Sequence, residues 1–201
     1  MSLDVLFVNP GNHKKIYQDL SKDYSAIETP TWSLLLAESC RSVGYSVAIL
    51  DACAERLTDE QCVERIKEAN PRLICFVVYG QNPNSGTVNM SGTVVMASAI
   101  KKANIDIPIA IVGSHVQALP FETLENEKDI DIVFTNEGVY ALRNLLKHKN
   151  LTDVSVLQSV KGIGFRQSGK VILTTPESIV PQNRMDIDLP GYAWDLLPYN
   201  E

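Results

Sequence analysis

Four short segments carry glycine beside small polar side chains, and each follows an apolar run of strand length. Glycine permits a positive φ and lets the main chain approach a ligand closely. Amide and hydroxyl groups beside it can exchange hydrogen bonds with that ligand. We therefore predict a small-molecule binding site here, without catalytic side chains, although glycines that only make turns would give the same pattern. The segments are Asn9-Pro10-Gly11, Tyr79-Gly80-Gln81-Asn82-Pro83-Asn84-Ser85, Gly113-Ser114-His115 and Asn136-Glu137-Gly138.

The segments lack the fingerprints of the common nucleotide sites. A dinucleotide site requires G-x-G-x-x-G after the first strand, and residues 10–15 do not have this pattern. The chain also has no P-loop motif. Asn9 and Tyr79 stand where a phospho-accepting receiver domain would carry acids. Asp51 is therefore predicted to be a turn or helix-capping residue rather than a ribose ligand.

A metal centre has little support in the sequence. The four cysteines are Cys40, Cys53, Cys62 and Cys75. They form no C-x-x-C pair and are expected to be reduced thiols. His115, after a glycine at a strand end, is the best histidine for a ligand contact, with capping of the next helix as the alternative. Glu137 is open to a similar alternative, because an acid is stabilised at a helix N-terminus without any ligand.

The elements that hold these segments alternate between strand and helix. Strands are predicted at residues 3–9, 45–50, 73–78, 107–112 and 130–134, and helices at 31–43, 58–69, 87–103 and 139–147. Strands rich in valine and isoleucine, joined through helices, predict a flavodoxin-like, doubly wound α/β fold. Its five-stranded parallel sheet is expected in the order 2-1-3-4-5. The carboxyl ends of such strands share one edge, which would bring the four segments together.

The chain changes character after a first domain predicted at residues 1–150. Residues 160–167 and 170–174 flank Ser168-Gly169, a hairpin turn signal, so residues 151–176 are predicted to be a β-hairpin appendage. Residues 177–201 are predicted to be a linker. Its end is apolar and aromatic, unlike a frayed terminus, and this predicts contact with a further domain.

Composition argues against several classes of partner. The formal net charge of −6 disfavours nucleic acid or an anionic membrane as the main partner. The sequence has no run of 18 apolar residues and opens without a signal-peptide pattern. From these features we expect a cytoplasmic protein.

Taken in order, the loops, hairpin and tail resemble the N-terminal cobalamin-binding domain of B12-dependent radical SAM proteins. The similarity is carried by residues 5–10, 30–44, 78–87, 111–115, 136–138, 161–172 and 188–198. Within this set, Asn136-Glu137-Gly138 is similar to the family's Gly-Glu-Gly-Glu turn. The resemblance covers nearly the whole chain, and its specificity lies in the ordered set rather than in any single loop.

The resemblance implies that the chain binds cobalamin at the predicted sheet edge. The implied cofactor-binding residues are Asn9, Pro10, Gly11, Tyr79, Gly80, Gln81, Ser85, Gly113, Ser114, His115, Asn136, Glu137 and Gly138. The motif Asp-x-His-x-x-Gly is absent, so no protein histidine is expected on cobalt. The dimethylbenzimidazole tail is expected between strands near Gly113 and Tyr79.

The family's iron–sulfur signature, C-x-x-x-C-x-x-C, is also absent. The resemblance then implies that SAM and the [4Fe–4S] cluster belong to an absent radical SAM domain, packed near Trp194 and Leu197. That domain would carry methyl transfer or related radical chemistry. Two alternatives stay open. One is a degenerate docking module with Gln81-Asn82-Pro83-Asn84 as a partner contact, and the other is a flavin or nucleotide site on the same edge.

Overall fold

Seven strands form one sheet, and the computed structural model describes them within residues 2–11, 27–79 and 83–198, with only the backbone of residues 83–88. The strands are β1 Val5–Asn9, β2 Val47–Asp51, β3 Leu73–Val78, β4 Ile109–Gly113, β5 Ile132–Phe134, β6 Ile163–Gln167 and β7 Lys170–Leu173. They lie in the order β2-β1-β3-β4-β5-β6-β7, with β1 to β5 parallel. The predicted order 2-1-3-4-5 is confirmed.

Along the chain, helices alternate with the parallel strands. They are α1 Thr31–Arg41, α2 Asp59–Ala69, α3 Pro83–Lys102, α4 Ser114–Ala118, α5 Pro120–Asn126, α6 Val139–Leu146, α7 Val154–Ser159 and α8 Met185–Asp188. Sequence periodicity missed α4, α5 and α7, which are five to seven residues long and too short to show a helical pattern. Helix α3 begins four residues before its predicted start, at Pro83, because proline suits the first helical position. Ser85 therefore lies in the first turn of α3, whereas the sequence placed it in a loop.

The sheet separates two buried apolar layers. Phe7 belongs to the layer that includes Leu36 of α1 and Leu142 of α6. Val8, the next residue, belongs to the layer formed with α2 and α3. Strands β3 and β4 are buried along their whole length, as parallel strands between helical layers must be.

The C-terminal hairpin extends the sheet. Strand β6 pairs antiparallel with β5, placing Phe165 opposite Ile132, and β7 pairs with β6. The turn at Ser168 and Gly169 has positive φ at both residues, the geometry expected for a two-residue hairpin. The hairpin thus covers the edge of β5 and buries Phe165 in the α1/α6 layer.

Residues 177–198, called the connector below, fold back on the domain. The carboxylate of Asp188 pairs with the guanidinium of Arg143 on α6, with 2.9 Å between Oδ1 and Nη1. Ala193 is fully buried and its N–H donates to the carbonyl of Leu34 on α1. The connector is therefore attached to the outer surface of α1 and α6, and its service as a link to a further domain stays a prediction.

Candidate functional site

The carboxyl ends of β1, β3, β4 and β5 lie side by side, because these strands pair in parallel in that order. The loops that follow are the predicted ligand-binding segments, and the fold brings their described parts to one edge. Gly80 and Gln81 lie outside the residues that the structure describes, as does the Gln81-Asn82 half of the predicted docking loop. Of Ser85 only the backbone is described.

At the end of β1, the side chain and the carbonyl of Asn9 are both hydrogen-bonded to the end of the neighbouring strand β2. Its side-chain amide donates to Oδ1 of Asp51 at 2.8 Å, and its carbonyl accepts from the N–H of Ala52. Asp51 is 2% exposed and also accepts from the N–H of Ala54, so it is the turn residue that the sequence predicted. A side chain at Gly11 would lie 3.3 Å from the carbonyl oxygen of Ala52, which explains why this position is small.

Tyr79, directly after β3, belongs to an aromatic cluster at the same edge. Its ring lies 5.4 Å from that of Trp32 in the first turn of α1. Its hydroxyl accepts a hydrogen bond from the side-chain amide of Gln117 on α4. Burial raises the pKa of Tyr79, so the phenol stays protonated at neutral pH. Sequence reasoning missed Trp32 and Gln117, because their roles depend on contacts through space with Tyr79.

The end of β4 combines a tight main-chain contact with an unpaired hydroxyl. A side chain at Gly113 would lie 2.2 Å from the carbonyl oxygen of Val78, its partner on β3. Strands β3 and β4 therefore approach each other too closely here for a side chain at position 113, which accounts for the glycine. The Oγ of Ser114 is buried and has no hydrogen-bond partner among the described residues.

His115 lies in the first turn of α4, and its carbonyl accepts from the N–H of Leu119. It therefore sits beside Ser114 at the predicted edge.

The loop after β5 uses much of its hydrogen-bonding capacity within the protein. Asn136 accepts from the N–H of Gly138 and donates to the carbonyl of Glu177 in the connector. Glu137 accepts from the N–H of Val180 through Oε1 and from the indole of Trp32 through its carbonyl. Gly138 has a φ of +84°, which favours glycine, and starts α6. Asn136 and Glu137 therefore hold the connector, a role that the sequence did not indicate.

Three helices that begin at this edge have no side-chain cap. The N-cap residues of α1, α4 and α6 are Pro30, Gly113 and Gly138, and none provides a capping hydrogen bond. By contrast, α2 begins with a capping box between Thr58 and Gln61. The first N–H groups of a helix seek acceptors, so α1 and α6 can offer donors to a polar ligand.

Cysteine and metal chemistry find no support in the part of the chain that is described. None of the four cysteines forms a disulfide bond among the described residues. Burial raises the pKa of Cys40 and Cys62 to about 12 and that of Cys53 to about 11, so none is activated as a thiolate. Within residues 2–11, 27–79 and 83–198 there is no group of three or more potential metal ligands. The helices in these ranges also include none long and apolar enough to cross a membrane.

The sequence matches the family described as "B12 binding domain" over residues 22–146, which is more than half of the chain. The chain belongs to this family. The resemblance inferred from the ordered loops is thereby confirmed, and the α/β fold with its C-terminal hairpin matches that of its structural neighbours.

Curated relatives are considerably longer than this chain. The "uncharacterized methyltransferase PH0819" of Pyrococcus horikoshii is 27% identical over 157 residues, covering 78% of this chain and 32% of the relative. The "anaerobic magnesium-protoporphyrin IX monomethyl ester cyclase" of Synechocystis is 25% identical over 195 residues, covering 96% and 36%. The chain thus spans about a third of the length of these relatives.

Solved structures of cobalamin-dependent radical enzymes share the fold. OxsB, described with aqua-cobalamin and S-adenosylmethionine bound, superposes with a TM-score of 0.70 at 18% identity, covering 97% of this chain and 24% of OxsB. The methyltransferase TsrM from Kitasatospora setae, described with cobalamin and a [4Fe–4S] cluster bound, gives 0.64 at 17% identity, covering 90% and 30%. At this level of identity the likeness establishes the fold.

Proposed function

We propose that this chain is the cobalamin-binding module of a B12-dependent radical SAM enzyme. Family membership supports the cofactor, and the single structural observation that carries its placement is the buried hydroxyl of Ser114 at the carboxyl end of β4, which has no hydrogen-bond partner among the described residues. A buried polar group without a partner costs about 1–3 kcal/mol, so such groups are rare unless something else satisfies them. An amide or the nucleotide tail of cobalamin offers that partner.

The residues proposed to hold the cofactor lie at the carboxyl edge of the sheet, where the Ser114 hydroxyl has no partner among the described residues. We assign the contacts to the β4–α4 loop with Ser114 and His115, to Tyr79, and to the main chain at Pro10 and Gly11. Asn9, Asn136 and Glu137 support the edge from behind, because their side chains are bonded within the protein. When bound, cobalamin supplies cobalt-centred chemistry such as methyl transfer, and the protein contributes its orientation.

The catalytic part is assigned to a further domain, since the chain spans only about a third of its curated relatives. SAM and the [4Fe–4S] cluster would bind there, in a cytoplasmic enzyme. The connector offers a docking surface, with Trp194 46% and Ile187 58% exposed, and with the ring of Tyr192 in tilted contact with that of Trp194 at 5.2 Å between ring centroids. Leu197 lies half-buried beside it. The gene sequence after codon 201 tests this: a C-x-x-x-C-x-x-C motif is expected.

Cofactor binding is tested by adding hydroxocobalamin to the purified chain, desalting and recording the absorption spectrum. We expect a retained corrin spectrum and about one cobalamin per chain. A flavin spectrum in the protein as purified would favour the flavin alternative. Absence of corrin, both in this chain and in the longer native protein, would reject the proposal and favour a docking module.

The role of Ser114 is tested with a matched pair of variants. Ser114→Ala removes the unpaired hydroxyl at the edge, and we expect cobalamin affinity to fall roughly two- to tenfold, the equivalent of one hydrogen bond of about 0.5–1.5 kcal/mol. Without cobalamin the variant should be at least as stable as the wild type, because no protein hydrogen bond is lost. Ser39→Ala is the control, since Ser39 on α1 also carries a buried unpaired hydroxyl. Equal affinities for both variants would contradict the assignment.

A further inference from the structure

The Asn136–Glu137 loop is bonded both to the connector and to the aromatic cluster at the ligand-facing edge. Toward the connector, Oε1 of Glu137 lies 2.5 Å from the amide nitrogen of Val180, a residue that is 9% exposed. Asn136 adds a bond of 3.1 Å from Nδ2 to the carbonyl of Glu177. The start of the connector is thus held by two side chains of one site loop.

On its other side, the same loop holds the aromatic cluster. The carbonyl of Glu137 accepts from Nε1 of Trp32 at 3.0 Å. The indole ring packs on Tyr79, and the Tyr79 hydroxyl is bonded to Gln117 on α4. A continuous set of contacts therefore runs from Val180 through Glu137 to the ends of β3 and β4.

We propose that Glu137 is a positioning residue that couples attachment of the connector to the order of the Trp32–Tyr79 cluster, and through that cluster to cobalamin binding. The last step rests on the proposed function. The two states are the connector bonded to the loop and the connector released. When it is bonded, Trp32 and Tyr79 are held in place before a ligand arrives, so less order has to be created on binding. Such coupling is reciprocal, so cobalamin must tighten the connector as much as the connector tightens cobalamin.

The experiment measures hydrogen exchange of the Val180 amide and the affinity for hydroxocobalamin in the 201-residue chain. Glu137→Ala removes the acceptor, whereas Glu137→Gln keeps an oxygen at the same place. Trp32→Phe removes the indole donor but leaves an aromatic ring. Asp195→Ala is the control, because it breaks an exposed contact of the connector with Arg41 and leaves the loop intact.

We expect Glu137→Ala to accelerate Val180 exchange and to weaken cobalamin binding by about fivefold or more, the lower range of typical coupling factors. Glu137→Gln should restore both values, and Asp195→Ala should leave cobalamin affinity unchanged. In the wild type, saturating cobalamin should slow Val180 exchange by the same factor. Cobalamin binding that is equally tight in Glu137→Ala and wild type would overturn the proposal.

The coupling and the proposed function can fail separately. Trp32→Phe should accelerate Val180 exchange without any ligand, and combined with Glu137→Ala it should add little more. If the variants change Val180 exchange in this way but the wild type binds no cobalamin, the proposed cofactor is refuted. The coupling between the connector and the edge of the sheet is then still supported. Val180 exchange that is unaffected by Trp32→Phe would refute the coupling itself.

Discussion

The attachment of the connector depends on a buried ion pair, and replacing Asp188 by alanine tests it. Asp188 and Arg143 are 4% and 7% exposed. The carboxylate also accepts from the hydroxyl of Tyr140 at 2.6 Å and from Nε of Arg184 at 2.9 Å. Alanine would leave the guanidinium of Arg143 buried without its counter-charge.

The same connector provides the matched control. Asp195 pairs with Arg41 through two hydrogen bonds, but its side chain is 62% exposed. Removing one partner of a buried ion pair costs about 3–5 kcal/mol, whereas an exposed pair contributes far less because water screens it. With a urea m-value of about 2 kcal/mol/M, the unfolding midpoint should fall by about 1.5–2.5 M for Asp188→Ala and by only a small fraction of that for Asp195→Ala.

Urea denaturation followed by circular dichroism measures both midpoints, and trypsin cleavage after Arg184 reports release of the connector alone. If the connector detaches without unfolding the domain, Asp188→Ala should accelerate that cleavage even where the midpoint moves little. Equal midpoints and equal cleavage rates for the two variants would refute the reasoning that burial decides the strength of these contacts.

Two further predictions concern the pH dependence of the connector and the contact between β3 and β4. Hydrogen bonds from Arg184 and Tyr140 hold the pKa of Asp188 well below its usual range, so its stabilising effect is complete above the unfolded pKa of about 3.9 and is lost as the pH falls below it. The stability difference between wild type and Asp188→Ala, measured by urea denaturation, should therefore be constant from pH 7 to 5 and shrink below about pH 4; a loss between pH 7 and 5 would contradict the assignment. Gly113→Ala should lower stability by about 1–3 kcal/mol in thermal unfolding, because its Cβ would collide with the Val78 carbonyl. An unchanged melting temperature would show that the two strands can separate there without cost.

Local patterns in the sequence were sufficient to predict most of the parallel sheet. The apolar run of β3, the capping box at Thr58 and the turn at Ser168 each depend on neighbouring residues, so they could be read without knowing the fold. The strand order followed from general rules for βαβ units. The short helices α4 and α5 were missed because five and seven residues show too little periodicity.

The roles of individual site residues were harder to predict from the sequence. Asn9, Asn136 and Glu137 have side chains that suit a ligand, and in the fold they bind Asp51, Glu177 and Val180, which lie about forty residues away in sequence. Conversely, nothing in the local sequence singled out Trp32, whose importance depends on its contacts with Tyr79 and Glu137.

The sequence by itself determined which segments end strands, and hence which loops share an edge, because strand and turn propensities act between neighbours in the chain. Only the tertiary structure decided which polar groups of that edge are bonded within the protein. Among the described residues the Ser114 hydroxyl has no partner, Gly113 is required by the contact with Val78, and Glu137 is bonded to the connector. Hydrogen-bond partners and close packing depend on distances through space, which spacing along the chain does not specify.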